Sequence, residues 1–204
     1  LIIVAIILTS SSNAEMTAKT YLKENNIYII TKNGTEKQLT FNSTDSDPIF
    51  IEDQDIVIFV RSEGPEEALR KIIMKVNIKD LSESVLTDKK PFEDALTGTH
   101  DIYNIYSPTL SLDGKYILFV TEKYVTGSQL VKVEINTGKW IELFSAESFE
   151  QIDKAPYKGY FLAGQSVIED HGRDIYFRLI NSSGRIIKKF RDEESMKQFK
   201  AGIK

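Results

Sequence analysis

The sequence predicts an all-β, propeller-like array of four-stranded antiparallel blades, about three and a half to four of them, with a small C-terminal helix. Three observations carry this. Apolar and polar residues alternate with a period of two in short runs between Ile27 and Ile187, the spacing that turns one face of a strand toward a core. The runs are separated by Gly, Asn, Asp and Pro, which end strands and build turns. They also recur. Pro48 and Pro108 lie 60 residues apart, as do Phe59 and Phe119. Gly34 to Asp80 and Gly138 to Gly184 each span 46 residues, with a middle interval of 58. A period in the forties with four strands per unit is that of blade repeats.

The elements follow in order. Residues 1–8 read LIIVAIIL, without a charge. As a helix they would span about 12 Å, too short for the roughly 30 Å hydrocarbon core. Small residues Ser12 and Ala14 follow at cleavage-site spacing. Residues 1–14 are therefore read as a secretory signal lacking its charged start, in preference to a buried strand. Residues 15–204 are read as the domain. Residues 17–23 offer one polar strand. Four hairpins share a shape: residues 27–34 into 38–40, 73–80 into 85–87, 130–138 into 141–143, and 175–181 through Gly184 into 186–187. A second kind runs from Pro48 through residues 52–55 into 56–60, and from Pro108 through 112–115 into 116–120. A degenerate third copy is expected around Pro156, Gly159 and residues 160–163. The extra residues of the middle interval fall in 88–101, read as a loop insertion. Residues 192–201, with Met196 and Phe199 on one face, are expected to form a helix that caps an exposed blade.

Gly34-Thr35-Glu36-Lys37-Gln38-Leu39-Thr40, then Pro48 and a strand ending Phe59-Val60, is similar to the TolB-like propeller repeat. Ser111-Leu112-Asp113-Gly114-Lys115-Tyr116, followed by Ile117 to Val120, matches it best, with Leu112 where that repeat usually has Pro. Asp53-Gln54-Asp55 departs from the Asp-Gly-Lys turn, and the third copy departs further. The resemblance covers roughly residues 26–190. It implies a propeller whose faces engage envelope proteins, and its motifs are structural rather than catalytic.

Composition narrows the function classes. The 204 residues include 41% hydrophobic and 27% charged, enough for a core. Lys+Arg is 26 against Asp+Glu 30, a net charge of −4. That balance argues against a nucleic-acid partner, which requires a cationic surface. The absence of cysteine from the sequence excludes disulfides, thiolate metal sites and cysteine nucleophiles. After signal removal, no run reaches the 18 apolar residues of a membrane span.

The sequence holds no nucleophile elbow, phosphate-binding glycine loop or His-Glu-x-x-His pattern. No catalytic residue, cofactor or metal is therefore expected. The carboxylates Asp45, Asp47, Glu52, Asp53 and Asp55 lack calcium-loop spacing and are read as a solvated rim. Binding candidates come from the loop expected before each innermost strand, facing one mouth of the channel. They are Asp45 and Asp47, then His100, Asp101, Tyr103 and Tyr106, then Asp153 and Tyr157. Tyrosine suits a binding surface, since it joins apolar area to a polar tip; it serves equally to cap hydrophobic blade ends.

The expected function is a non-enzymatic exported binding module, periplasmic or secreted, with an envelope or extracellular protein as partner. The alternative is a glycan- or peptide-processing hydrolase, or the propeller portion of one. An incomplete blade count also leaves a strand edge open, so self-association or capture of a partner strand is expected there.

Overall fold

The computed structural model describes residues 17–65, 70–87, 92–94, 98–100, 104–123, 127–169 and 172–203. The expected signal segment and much of the middle insertion lie outside them. Blade 1 has three strands, β1 (Lys19–Lys23), β2 (Asn26–Ile30) and β3 (Glu36–Gln38). Blade 2 has four, β4 (Asp45–Ile51), β5 (Ile56–Glu63), β6 (Arg70–Asn77) and β7 (Glu83–Val85). A hairpin of β8 (Phe92–Asp94) and β9 (Gly98–His100) follows. Blade 3 is β10 (Tyr106–Leu110), β11 (Tyr116–Lys123), β12 (Gly127–Glu134) and β13 (Trp140–Ser145). Blade 4 is β14 (Ser148–Gln151), β15 (Phe161–Glu169), β16 (Gly172–Ile180) and β17 (Ile186–Phe190), and α1 (Glu193–Ala201) ends the chain. Each blade is an antiparallel meander in sequence order, so the predicted all-β propeller-type array is the observed fold.

Apolar side chains lie between blades rather than inside them, because the sheets of blades 2, 3 and 4 each bury both faces. Ile27, Ile29 and Leu39 of blade 1 and its β3–β4 link meet Val57, Phe59 and Ile72 of blade 2. Ile58, Val60 and Ile73 meet Ile117, Phe119 and Val131 of blade 3. Leu118, Val120 and Leu130 meet Phe161, Ala163 and Ile180 of blade 4. Leu162 and Leu179 on the far face of blade 4 meet Met196 and Phe199 of α1, and Ile203 just after it. The helix thus lies where a further blade would pack, as the 192–201 pattern predicts. Asp192 caps it, accepting the Ser195 backbone N–H at 2.8 Å.

The last hairpins of the blades align blade 1 with the others. The β2–β3 turn and the β16–β17 turn close alike, with Gly34 N–H donating to Thr31 O and Gly184 N–H to Asn181 O. The β6–β7 and β12–β13 turns are one residue longer, with Leu81 N–H donating to Asn77 O and Gly138 N–H to Glu134 O. Counted from these turns, β1 corresponds to β5, and blade 1 has no described counterpart of the innermost strand β4. The residue at positive φ is glycine in three of the turns but Leu81 in blade 2, φ 62°. Leu81 takes a conformation costly for a side chain, and that side chain packs against the blade 1–blade 2 core.

The inner strands of blades 2 and 3 share a bulge. Register shifts fall between Ser46 and Ile49 and between Tyr106 and Thr109. Asp47 and Ser107, both at φ 51°, precede Pro48 and Pro108, whose missing N–H suits a break in the ladder. The third copy departs from expectation. β14 runs in regular register with β15, and only residues 146 and 147 link it to β13. Pro156 lies instead in the connection from β14 to β15, outside any inner strand.

Candidate functional site

Two ends of the blade array are distinct. At one end β4, β10 and β14 begin, and the β5–β6, β11–β12 and β15–β16 hairpins turn. At the other lie the β4–β5, β6–β7, β10–β11 and β12–β13 turns and the 152–160 connection.

The first end carries a cluster built across blades 2 and 3. Tyr106 Oη donates to Glu122 Oε1 at 2.7 Å, and Asn104 Nδ2 donates to Glu122 Oε2 at 2.6 Å. Lys71, on the neighbouring blade, places its ammonium 5.4 Å from the centre of the Tyr106 ring. The hydrogen bonds from Tyr106 and Asn104 hold the Glu122 carboxyl below its usual range, and Lys71 adds to this. The same bond to Glu122, helped by burial, pushes the Tyr106 phenol above its usual range. Near neutral pH Glu122 is therefore charged and Tyr106 protonated, a pair suited to fixed recognition rather than proton transfer. Tyr106 remains 39% exposed, a braced ring at the mouth.

The predicted residues divide sharply. Asp47 lies exposed on the β4 bulge, where its carboxylate accepts from Ser46 Oγ at 2.7 Å. Asp45 is buried and serves the fold. Arg61 Nε donates to Asp45 Oδ1 at 2.7 Å and Nη2 to Oδ2 at 3.1 Å, while Nη1 reaches Glu83 Oε2 at 2.5 Å. Burial works against the guanidinium charge, and the bonds to Asp45 and Glu83 outweigh it, raising its pKa. His100 ends β9. Asp101 and Tyr103 lie outside the described residues. Asp153 and Tyr157 belong to the β14–β15 connection, at the opposite end from Tyr106, because blade 4 has no long loop before its inner strand. Tyr157 packs there against Tyr160 and Phe199, with ring centres 5.7 and 5.3 Å away. Of the predicted set, only Asp47 and Tyr106 share the described first end as exposed groups.

The predicted acidic rim does not converge. Glu52 pairs with Lys32, and Asp55 with Lys79 at 2.5 Å. Among the described residues, no group of three or more His, Asp and Glu could hold a metal ion. No helix among them is long and apolar enough to cross a membrane. Sequence reasoning did not single out Asn104, Glu122, Lys71 and Arg61. A charged residue closing each apolar run, Arg61 after residues 56–60 and Glu122 soon after 116–120, was the available signal.

No family model matches the chain, and no curated protein matches it. Solved structures do. Dipeptidyl peptidase 4 of Porphyromonas gingivalis superposes with a TM-score of 0.58 at 11% identity, over 85% of this chain and 31% of that one. The S511A mutant of puromycin hydrolase complexed with PGG superposes with a TM-score of 0.57 at 14% identity, over 86% and 29%. These likenesses show the fold, a propeller-type module. TolB from Acinetobacter baumannii superposes with a TM-score of only 0.33 at 16% identity, over 79% and 47%. The resemblance of residues 26–190 to the TolB-like repeat reaches a propeller fold, as the first two likenesses do, and no family model shows membership of that family. The chain spans less than half of each of these proteins.

Proposed function

We propose that this chain is a non-enzymatic propeller module that binds another protein through the end where β4 and β10 begin. The observation that carries the reading is the braced Tyr106–Glu122–Asn104 cluster, with Lys71 beside it and Asp47 exposed on the adjacent bulge. Aromatic area, one cation and fixed carboxylates at a rim are the materials of a protein-binding patch. Export, to the periplasm or outside the cell, is part of the proposal and rests on the apolar residues 1–8 and the small residues after them. An envelope or extracellular protein is the corresponding partner. The edge of β1, beside which no inner strand is found among the described residues, supports self-association or capture of a partner strand as a second contact.

The test is co-purification from envelope extract with wild type, with Tyr106→Ala/Asp47→Ala, and with Lys139→Gln in the β12–β13 turn at the opposite end. The reading requires a protein retained by wild type and Lys139→Gln but lost with the double variant. Retention by all three would remove this face. Fusion of the natural leader to a reporter tests export.

A second reading is the propeller portion of a hydrolase. It is favoured by the coverage of less than a third of the peptidase and the puromycin hydrolase chains. Peptidase, esterase and glycosidase panels on the product of the full reading frame separate the two: turnover would favour the hydrolase.

A further inference from the structure

At the end opposite Tyr106, blades 3 and 4 touch at two separated points. On the inner side, the Leu112 backbone N–H donates to Gln151 Oε1 at 2.9 Å. On the outer side, Gly184 comes so close to the Leu143 carbonyl that an added Cβ would stand 3.3 Å from it. Between these points a groove opens, with a volume of about 440 Å³, a size that suits a small organic ligand.

The two blade junctions differ at one register position. In blade 3, Trp140 pairs with Val133 and packs against the blade 2–blade 3 core. The same register in blade 4, opposite Ile180, is held by Ile186, which is 40% exposed. An aliphatic side chain thus stands in blade 4 where blade 3 has an indole.

Its lining is amphipathic. Leu118, Leu143, Phe161 and Tyr116 supply its apolar lining, and Lys132 and Lys158 line it as well. The Lys132 ammonium stands 4.6 Å from the centre of the Tyr116 ring. Neither lysine makes an ion pair among the described residues. At the blade 1–blade 2 junction, by contrast, Lys37 donates to Ile78 O at 2.5 Å and Lys32 pairs with Glu52. Asp113, also in the lining, is occupied: its carboxylate accepts from Ser111 Oγ at 2.6 Å and from Lys115 N–H at 3.1 Å.

We infer that this groove is a second binding site, separate from the Tyr106 face, for a free carboxylate carried on an apolar or aromatic body. The body lies on Leu118 and Phe161, and the carboxylate meets Lys132 and Lys158. Two cations with an apolar lining discriminate strongly against the neutral form of such a ligand, because charge-assisted hydrogen bonds are the stronger kind.

The test is nitrogen-15 NMR titration of the full chain with 2-naphthoate and acetyl-Gly-Phe, each beside its carboxamide. Saturable shifts centred on Tyr116, Lys132 and Gly159 are expected for the acids. The carboxamides, and the acids with Lys132→Gln/Lys158→Gln, should bind about tenfold or more weakly. Which acid binds tighter tells whether a free organic acid or a peptide C-terminus is the source. Equal affinity for acid and amide, no saturable shift by millimolar ligand, or unchanged affinity in the double variant would overturn the assignment. Lys158 is exposed and unpaired among the described residues, so Lys158→Gln alone, tested in parallel, keeps the fold intact.

Discussion

Arg61 and Asp45 face each other across the β4–β5 ladder, and the residues 60 positions later in blade 3 are Thr121 and Ile105. Both pairs are buried. One junction of the repeat thus holds an ion pair where the next holds an isoleucine beside a threonine whose hydroxyl has no partner among the described residues. Removing only the cation leaves a buried carboxylate without compensation. Arg61→Ala should cost about 3–5 kcal/mol. Asp45→Ile/Arg61→Thr, which copies blade 3 into blade 2, should recover most of it. Urea unfolding of the three proteins checks this; a single-variant cost below about 1 kcal/mol would show the pair contributes little.

Tyr106→Phe should flatten the pH dependence of stability at both extremes. Glu122 is held low in the folded state, so its contribution is complete above the usual glutamate range and is lost as pH falls through the lowered value. Tyr106 is held high, so its contribution is complete below the usual tyrosine range and is lost as pH rises through the raised value. The stability gap between wild type and Tyr106→Phe should therefore be widest near neutrality. A gap that stays constant from acid to alkali would contradict the network.

Phe199→Ala should loosen the terminal helix. Phe199 lies 5.2 Å from the Phe190 ring and 5.3 Å from Tyr157, so its loss strips contacts from the outer face of blade 4. A cost of about 2–3 kcal/mol is expected, below that of a fully buried phenylalanine. Binding of an apolar fluorescent dye should rise with it. Unchanged dye binding would mean that the helix does not shield this face.

The β1 edge makes a further prediction. Lys19 and Lys23 bracket the strand, and exposed lysines discourage pairing with another chain. Lys19→Thr/Lys23→Thr should shift the protein toward dimers or larger species in light scattering at micromolar concentration. A strict monomer in both proteins would show that β1 offers no usable edge.

The repeat was legible wherever one physical demand leaves one residue type. Phe59 and Phe119 recur at 60 residues and both are buried to within 1%, since each fills the layer between blades. Residues 17–23 read as a polar strand and contain β1, because an edge strand needs little apolar surface. Pro156 misled because proline marks turns as well as strand bulges, and composition cannot tell them apart. That error carried Asp153 and Tyr157 to the wrong end. Asp45 looked like a rim carboxylate because its partner sits 16 residues away, and only strand register brings them together. Leu81 at positive φ had no signal at all.

The layered cores have a mechanical corollary. Among the described residues, apolar contact joins each blade to its sequence neighbour and the last blade to α1, with no cluster joining blade 4 to blade 1. Stretched between its ends, such a column yields stepwise. The helix and the three-stranded blade 1 each hold by a single apolar layer and release at low force, whereas blades 2 and 3 are clamped on both faces and rupture last. A closed ring would resist as one body until its first break.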